Sequence, residues 1–173
     1  MKNYFFLLPL YNDWKSLQKL LEIINNEIKK IKIKANFVIV DDYSSSQKKL
    51  NLNKLKNIKK VEIIKLNKNL GSQKAISVGL KDLKNIKKKS IITILDSDGE
   101  DDPTQIKNMI KSIKRNPNHV TVSCRDRRKE GLIFKLLYFF HKLITFLFTF
   151  KWISFGNYAS FNSNLIKSIL SDD

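Results

Sequence analysis

Cysteine is almost missing from this chain. Cys124 stands alone among 173 residues, so no internal disulfide can form, and the chain fits a reducing compartment. Glycine is scarce as well. The five glycines form neither a GxGxxG turn nor a P-loop, which excludes the commonest dinucleotide and ATP signatures. Repeats and low-complexity linkers are absent. The apolar start MKNYFFLLPLYNDW is short, has no small-x-small cleavage site and turns polar at once. It reads as a first strand rather than a signal peptide, which places the chain in the cytoplasm. Arginine is rare: four residues against 29 lysines. The net charge of +17 therefore reads largely as solvated lysine in a chain biased toward Lys, Asn and Ile. A basic stripe interleaved with aromatics is missing, as is any known nucleic-acid module, so nucleic acid is not an expected partner. An anionic membrane surface or a phosphorylated substrate stays open.

What is present is an alternation of short apolar runs and longer helical patterns. YFFLL (4–8), NFVIVD (36–41), VEIIKL (61–66), SIITIL (90–95) and HVTVSC (119–124) are rich in Val, Ile and Phe and have the length of buried strands. Helices are predicted over 14–31, 72–83 and 103–115, with a weaker short helix within 47–57. Leu17, Leu20, Leu21, Ile24 and Ile28 share one face of the first. Strand alternating with helix implies right-handed crossovers: an α/β fold, a mostly parallel sheet with helices on both sides. The length suits one core.

Polar clusters follow the strands. PLYND (9–13), DDYSSS (41–46), NKNLG (67–71), DSDGEDDP (96–103) and CRDRR (124–128) each sit at a strand's carboxyl end, the edge where open α/β sheets bind ligands. DSDGEDDP collects five carboxylates in a basic chain. Asp96 and Asp98 alternate along extended backbone, so a bend at Gly99 is needed to bring them and Glu100 together. Such hard oxygen ligands suit Mg²⁺ or Mn²⁺ completed by diphosphate oxygens and water. Helix capping competes with this reading. Asp102 before Pro103 is a good N-cap, and Asp101 also lies near a helix start; Asp96 and Asp98 directly follow a buried strand. Three of the four arginines, Arg125, Arg127 and Arg128, stand together. Planar forks of that kind suit phosphate, or they pair locally with Asp126 and Glu130. Asp42 and the serines beside it suit ribose hydroxyls and base N–H groups, or cap a turn. Tyr11 and Asp13 could stack on a nucleobase and read its edge.

Taken in order, PLYND, VIVDDYSS, NKNLGSQKAISVGL, ILDSDGEDDP and CRDRRKEGLIFKLLYFFHKL resemble family 2 glycosyltransferases of the GT-A fold. The branch they resemble most is that of polyprenyl-phosphate sugar transferases, the dolichyl-phosphate mannose synthase type. The resemblance runs from about residue 4 to residue 165. It implies a three-layer α/β/α sandwich and a UDP- or GDP-linked nucleotide-sugar donor, with Pro9, Tyr11, Asp13 and Asp42 around the nucleoside. Asn69, Gly71, Asp96, Arg127 and Lys135 complete the implied donor-binding set. Asp96 and Asp98 match the family's DxD, with Glu100 as a third metal ligand where many relatives have glutamine. Asp98, Arg125 and Arg128 are the implied catalytic groups. GNYASF (156–161) resembles a segment that often reads G-D-F, with Asn157 in place of the acid.

Residues 1–130 are accordingly read as the nucleotide-sugar and metal-binding core, and 131–173 as an interfacial helix with an acceptor-side segment. LIFKLLYFFHKLITFLFTF (132–150) is interrupted by Lys135, His141 and Lys142, which argues against a spanning helix. It suits either an amphipathic helix lying in a membrane interface or a helix buried against protein. No carboxylate occurs between 131 and 170. A hydroxyl acceptor needs a general base, whereas a lipid phosphate is already ionised. The missing acid favours a phosphate acceptor, unless Asp101 or Asp102 serves or the base lies outside this chain. The resemblance implies a polyprenyl phosphate, with a saccharide hydroxyl in surface polysaccharide synthesis as the alternative and a non-catalytic nucleotide-binding scaffold as the third. Peripheral association with the inner face of the cell membrane follows from the first. Family members are usually longer, which leaves a fragment, a minimal form and one half of a split enzyme as open expectations.

Overall fold

The structure, a computed structural model, describes residues 3–46, 48–86, 89–124 and 155–171. Its strands are β1 (Tyr4–Leu10), β2 (Ala35–Asp41), β3 (Ile58–Lys65), β4 (Ile91–Ile94), β5 (Thr121–Cys124) and β6 (Phe155–Asn162). Its helices are α1 (Trp14–Lys30), α2 (Ser72–Asp82), α3 (Ile106–Arg115) and α4 (Ile166–Leu170). Short 3₁₀ turns extend α2 at Leu83–Asn85 and lead into α3 at Pro103–Gln105.

Helix α1 shows how the pattern folds. Asp13 is its N-cap and accepts the Ser16 N–H at 3.3 Å. Leu17, Leu20, Leu21, Ile24 and Ile28 are all buried. Lys29 and Lys30 occupy the last turn, where cations suit the negative helix end.

The strands form one sheet in the order β3-β2-β1-β4-β6-β5. Pairings among β3, β2, β1 and β4 are parallel. β6 runs antiparallel to both β4 and β5, so β5 points the same way as the parallel four. Its central strands β1, β2 and β4 are largely buried on both faces, while β3 at one edge is only partly buried. Phe6, Leu8 and Leu10 of β1 join Phe37, Ile39 and the apolar stripes of α1 and α3 in one core. Phe6 and Phe37, in register across β1 and β2, stack at 4.9 Å. The intervening Leu7 turns to the other face and meets Val38, Val40, Ala75, Leu80, Ile94 and Ile166, beneath α2 and α4. The alternation along β1 thus builds a three-layer α/β/α sandwich.

Two expectations change. The stretch 47–57 is no helix where described: residues 48–57 are turns and irregular backbone, and Leu55 alone among them is buried. Leu55 and the partly buried Leu50 are too few contacts to sustain an amphipathic face. The second change is β6, a strand absent from the sequence reading. It carries Tyr158, Ser160 and Asn162 into buried positions, and the Ser160 and Thr93 hydroxyls bond at 2.8 Å across β4 and β6. The division proposed at residue 130 falls outside the described residues; beyond it Phe155–Asn162 re-enter the sheet between β4 and β5.

Gly79 sets how closely α2 lies on the sheet. A Cβ there would collide with Leu7 Cδ1 and stand 3.0 Å from Val40 Cγ2, and Leu7 is itself fully buried. Gly79→Ala should overpack this layer and cost about 1–3 kcal/mol. Urea denaturation checks it; an unchanged midpoint would show that the layer can give way.

Candidate active site at the carboxyl edge of the sheet

The five strand-following clusters were expected at one edge, and the chain direction determines whether they meet there. β1, β2 and β4 end side by side, and their loops surround a cleft of about 260 Å³. Its lining is Pro9, Leu10, Tyr11, Asp42, Ser72, Asp96, Ser97 and Asp98. Because β6 runs the opposite way, its first residues come to the same edge, and Asn157 Nδ2 donates to Asp96 Oδ1 at 3.0 Å.

Asp42 is 3% exposed. Its two carboxylate oxygens accept the N–H groups of Leu70 at 2.7 Å and Gly71 at 2.8 Å, fastening the loop after β3 to the end of β2. Gly71 also meets Asn69 Oδ1 at 3.2 Å. Its φ of 84° and ψ of 157° lie in a region that only glycine occupies readily. Gly71 is the N-cap of α2 and supplies no side-chain cap. The helix therefore starts beside the cleft with its positive end uncapped by its own N-cap residue, and Ser72 forms part of the wall.

Asn12, which the sequence reading passed over, staples two loops. Its N–H donates to Ser44 Oγ at 2.8 Å, and its Oδ1 accepts the N–H and hydroxyl of Ser45 at 2.8 and 3.0 Å. Its φ is 59°, a conformation asparagine tolerates better than most residues. The only sequence signal was an Asn in a strand-end turn. Tyr11 on one loop is 54% exposed and Tyr43 on the other is 59% exposed. Tyr11 reaches the cleft. Asp13 does not line it, being turned toward α1 as the cap.

The acidic loop divides. Gly99 does bend, with φ 83°. The bend directs the Glu100 N–H onto Asp98 Oδ1 at 2.8 Å. Asp96 and Asp98 line the cleft, and Glu100 does not. No three acidic, imidazole or thiol side chains among the described residues converge on a cation-sized point. Asp101, expected near a helix start, is instead 2% exposed and accepts the Asp96 N–H at 3.1 Å; a buried carboxylate gains more from a fixed amide than from a solvated helix end. Asp102 is the cap. It accepts the Thr104 N–H at 3.0 Å and the Thr104 hydroxyl at 2.7 Å, and chiefly that hydroxyl bond lowers its pKa. Tyr158, in the core beside α1 and α3, is held protonated: burial pushes its phenol far above the ordinary range, and Asp101 and Asp102 add to this. Arg125, Arg127, Arg128, Lys135 and the 132–150 segment lie outside the described residues. Among those that are described, no helix is long and apolar enough to cross a membrane.

Chemically, three carboxylates around one cleft repel a diphosphate unless a cation stands between them. Mg²⁺ and Mn²⁺ sites on phosphate substrates commonly use one or two carboxylates and keep water and phosphate as the other ligands. Asp96 and Asp98 on one wall fit that donor set without a third protein ligand.

The family model for glycosyl transferase family 2 matches residues 6–167. The chain belongs to that family. Two curated relatives are a dodecaprenyl-phosphate galacturonate synthase from Rhizobium johnstonii, 24% identical over 131 residues, and an undecaprenyl-phosphate 4-deoxy-4-formamido-L-arabinose transferase from Proteus mirabilis, 27% identical over 124 residues. The matches cover 75% and 70% of this chain but only 38% and 37% of those proteins. Among solved structures, S. aureus TarS 1–349 superposes with a TM-score of 0.59 at 18% identity, covering 98% of this chain and 49% of that one. The same TarS fragment in complex with UDP gives 0.57. At this identity the structural match establishes a shared GT-A-type fold.

Asp42 offers the cleanest local test. Asp42→Asn keeps the shape but turns an amide NH₂ toward the N–H of Leu70 or Gly71. The expected loss is about 1–3 kcal/mol, read from the urea midpoint. An unaltered midpoint would show that the two backbone bonds are dispensable.

Proposed function

We propose that this chain carries the donor half of a glycosyltransferase that moves a sugar, with inversion, from a nucleotide diphosphate to a polyprenyl phosphate at the inner face of the cell membrane. The observation that carries the reading is the cleft itself: Asp96 and Asp98 on one wall, Tyr11 at its mouth, and the start of α2 at Ser72. Tyr11, an exposed ring lining the cleft, is assigned to stack on the base. Asp42 holds the loop from Leu70 to Gly71 rigid beside the ribose and phosphates. A bound Mg²⁺ or Mn²⁺, held by Asp96 and Asp98, would supply charge neutralisation for the leaving diphosphate. The helix start at Ser72 adds a fixed positive potential on the same side. Arg125, Arg127 and Arg128 are assigned to the diphosphate by residue type, and Lys135 to the donor.

The names of the two curated relatives, both polyprenyl-phosphate sugar transferases, support a lipid phosphate acceptor. So does the state of the nearby acids. Asp101 is buried and engaged with the Asp96 amide, and Asp102 is a cap with a lowered pKa. Neither is suited to take a proton from a hydroxyl acceptor. A saccharide hydroxyl is the second reading, with its base supplied from elsewhere.

With Mn²⁺ present, one or more of a panel of UDP- and GDP-sugars should raise the melting temperature of the chain. Asp98→Ala should abolish that shift. Stabilisation by no donor would favour a scaffold role, and a shift that survives Asp98→Ala would sink the metal assignment. Transfer that requires added polyprenyl phosphate separates the lipid acceptor from a saccharide.

A further inference from the structure

Asp96 is held at more than one atom. Asp101 Oδ2 takes its backbone N–H at 3.1 Å. Asn157 Nδ2 donates to its carboxylate Oδ1 at 3.0 Å. Asn157 is itself held, because Gln73 Nε2 donates to Asn157 Oδ1 at 2.5 Å. This second chain of contacts links three segments distant in sequence: the first turn of α2, the start of β6 and the end of β4.

The direction of the chain follows from its end. An ionised carboxylate only accepts, so Asn157 must turn its nitrogen to Asp96. Its oxygen then faces away and needs a donor, and Gln73 provides one. The geometry points to Asn157 as a positioning residue that aims the Asp96 carboxylate into the cleft, with Gln73 setting which way the Asn157 amide faces. The proposal rests on the reading of Asp96 as a cation ligand, and it concerns only how this chain presents that ligand. Residues that orient a metal-binding side chain are usually worth ten- to a hundredfold in metal affinity. Helix packing leaves Gln73 itself exposed, so its side chain can be changed without disturbing the core.

Gln73→Glu separates this role from a structural one. It replaces a donor by an acceptor, and the single amide nitrogen of Asn157 then faces two competing carboxylates. The fold should not suffer, because an acid in the first turn of α2 suits the positive helix end. Added negative charge alone would tighten binding of a cation, so the two accounts predict opposite signs.

The test is calorimetric titration of Mn²⁺ into the protein with UDP present, together with melting temperatures. Gln73→Glu and Asn157→Ala should each weaken Mn²⁺ about tenfold or more, with Gln73→Glu melting no lower than the native chain. Gln73→Met, which removes the donor without reversing it, should fall between native and Gln73→Glu. Native-like or tighter binding by Gln73→Glu overturns the proposal while leaving the functional reading intact. A native chain that takes up no Mn²⁺ overturns both.

Discussion

A strand buried on both faces can present polar groups only at its ends, and the direction of the strands decides which ends meet. β1, β2 and β4 run parallel, so the loops carrying Tyr11, Asp42 and Asp96 emerge together. β6 runs against them and contributes its beginning, with Asn157, to the same edge. The cleft is a consequence of this arrangement rather than of any single motif. Gly79 matters for the same reason, since the close seat of α2 on Leu7 and Val40 brings the helix start to the cleft.

Charge governs what the cleft can take. A chain carrying +17 nevertheless builds a binding wall from Asp42, Asp96 and Asp98. These acids have separate tasks. Asp42 spends both oxygens on the backbone of the 70–71 loop. Asp101 is buried beneath the same logic, holding the amide of Asp96. Asp102 starts the next turn through Thr104. Asp96 and Asp98 have contacts of their own and also line the cleft. A nucleotide diphosphate meets them comfortably only across a cation.

Much of the fold was legible in the sequence. The five apolar runs follow from their composition and length and the stripe of α1 from its period, and the polar clusters marked the edge. β6 escaped because its buried positions include Ser160 and Asn162, which pattern reading assigns to solvent. They are admitted through partners on other segments: Thr93 for the Ser160 hydroxyl and the Pro117 carbonyl for the Asn162 amide, at 2.6 Å. The 47–57 stretch misled in the opposite way: read as a weak helix, it is irregular where described, with only Leu55 buried and Leu50 partly buried against the core. In the acidic loop, Asp102 was readable from Pro103. The role of Asp101 depends on a hydrogen bond five residues back, which spacing does not reveal. Asn12 and Gln73 act on partners 32 and 84 residues away, which local sequence does not identify.

The central claim is that Asp96 and Asp98 gather a divalent cation at the carboxyl edge, where it bridges protein and diphosphate. The most direct measurement is paramagnetic broadening of backbone amide signals on adding substoichiometric Mn²⁺ with UDP to ¹⁵N-labelled protein. The account predicts that broadening is strongest at Asp96, Ser97 and Asp98 and extends to Tyr11 and Ser72 across the cleft. Broadening centred elsewhere, or spread evenly over the surface acids, would contradict it.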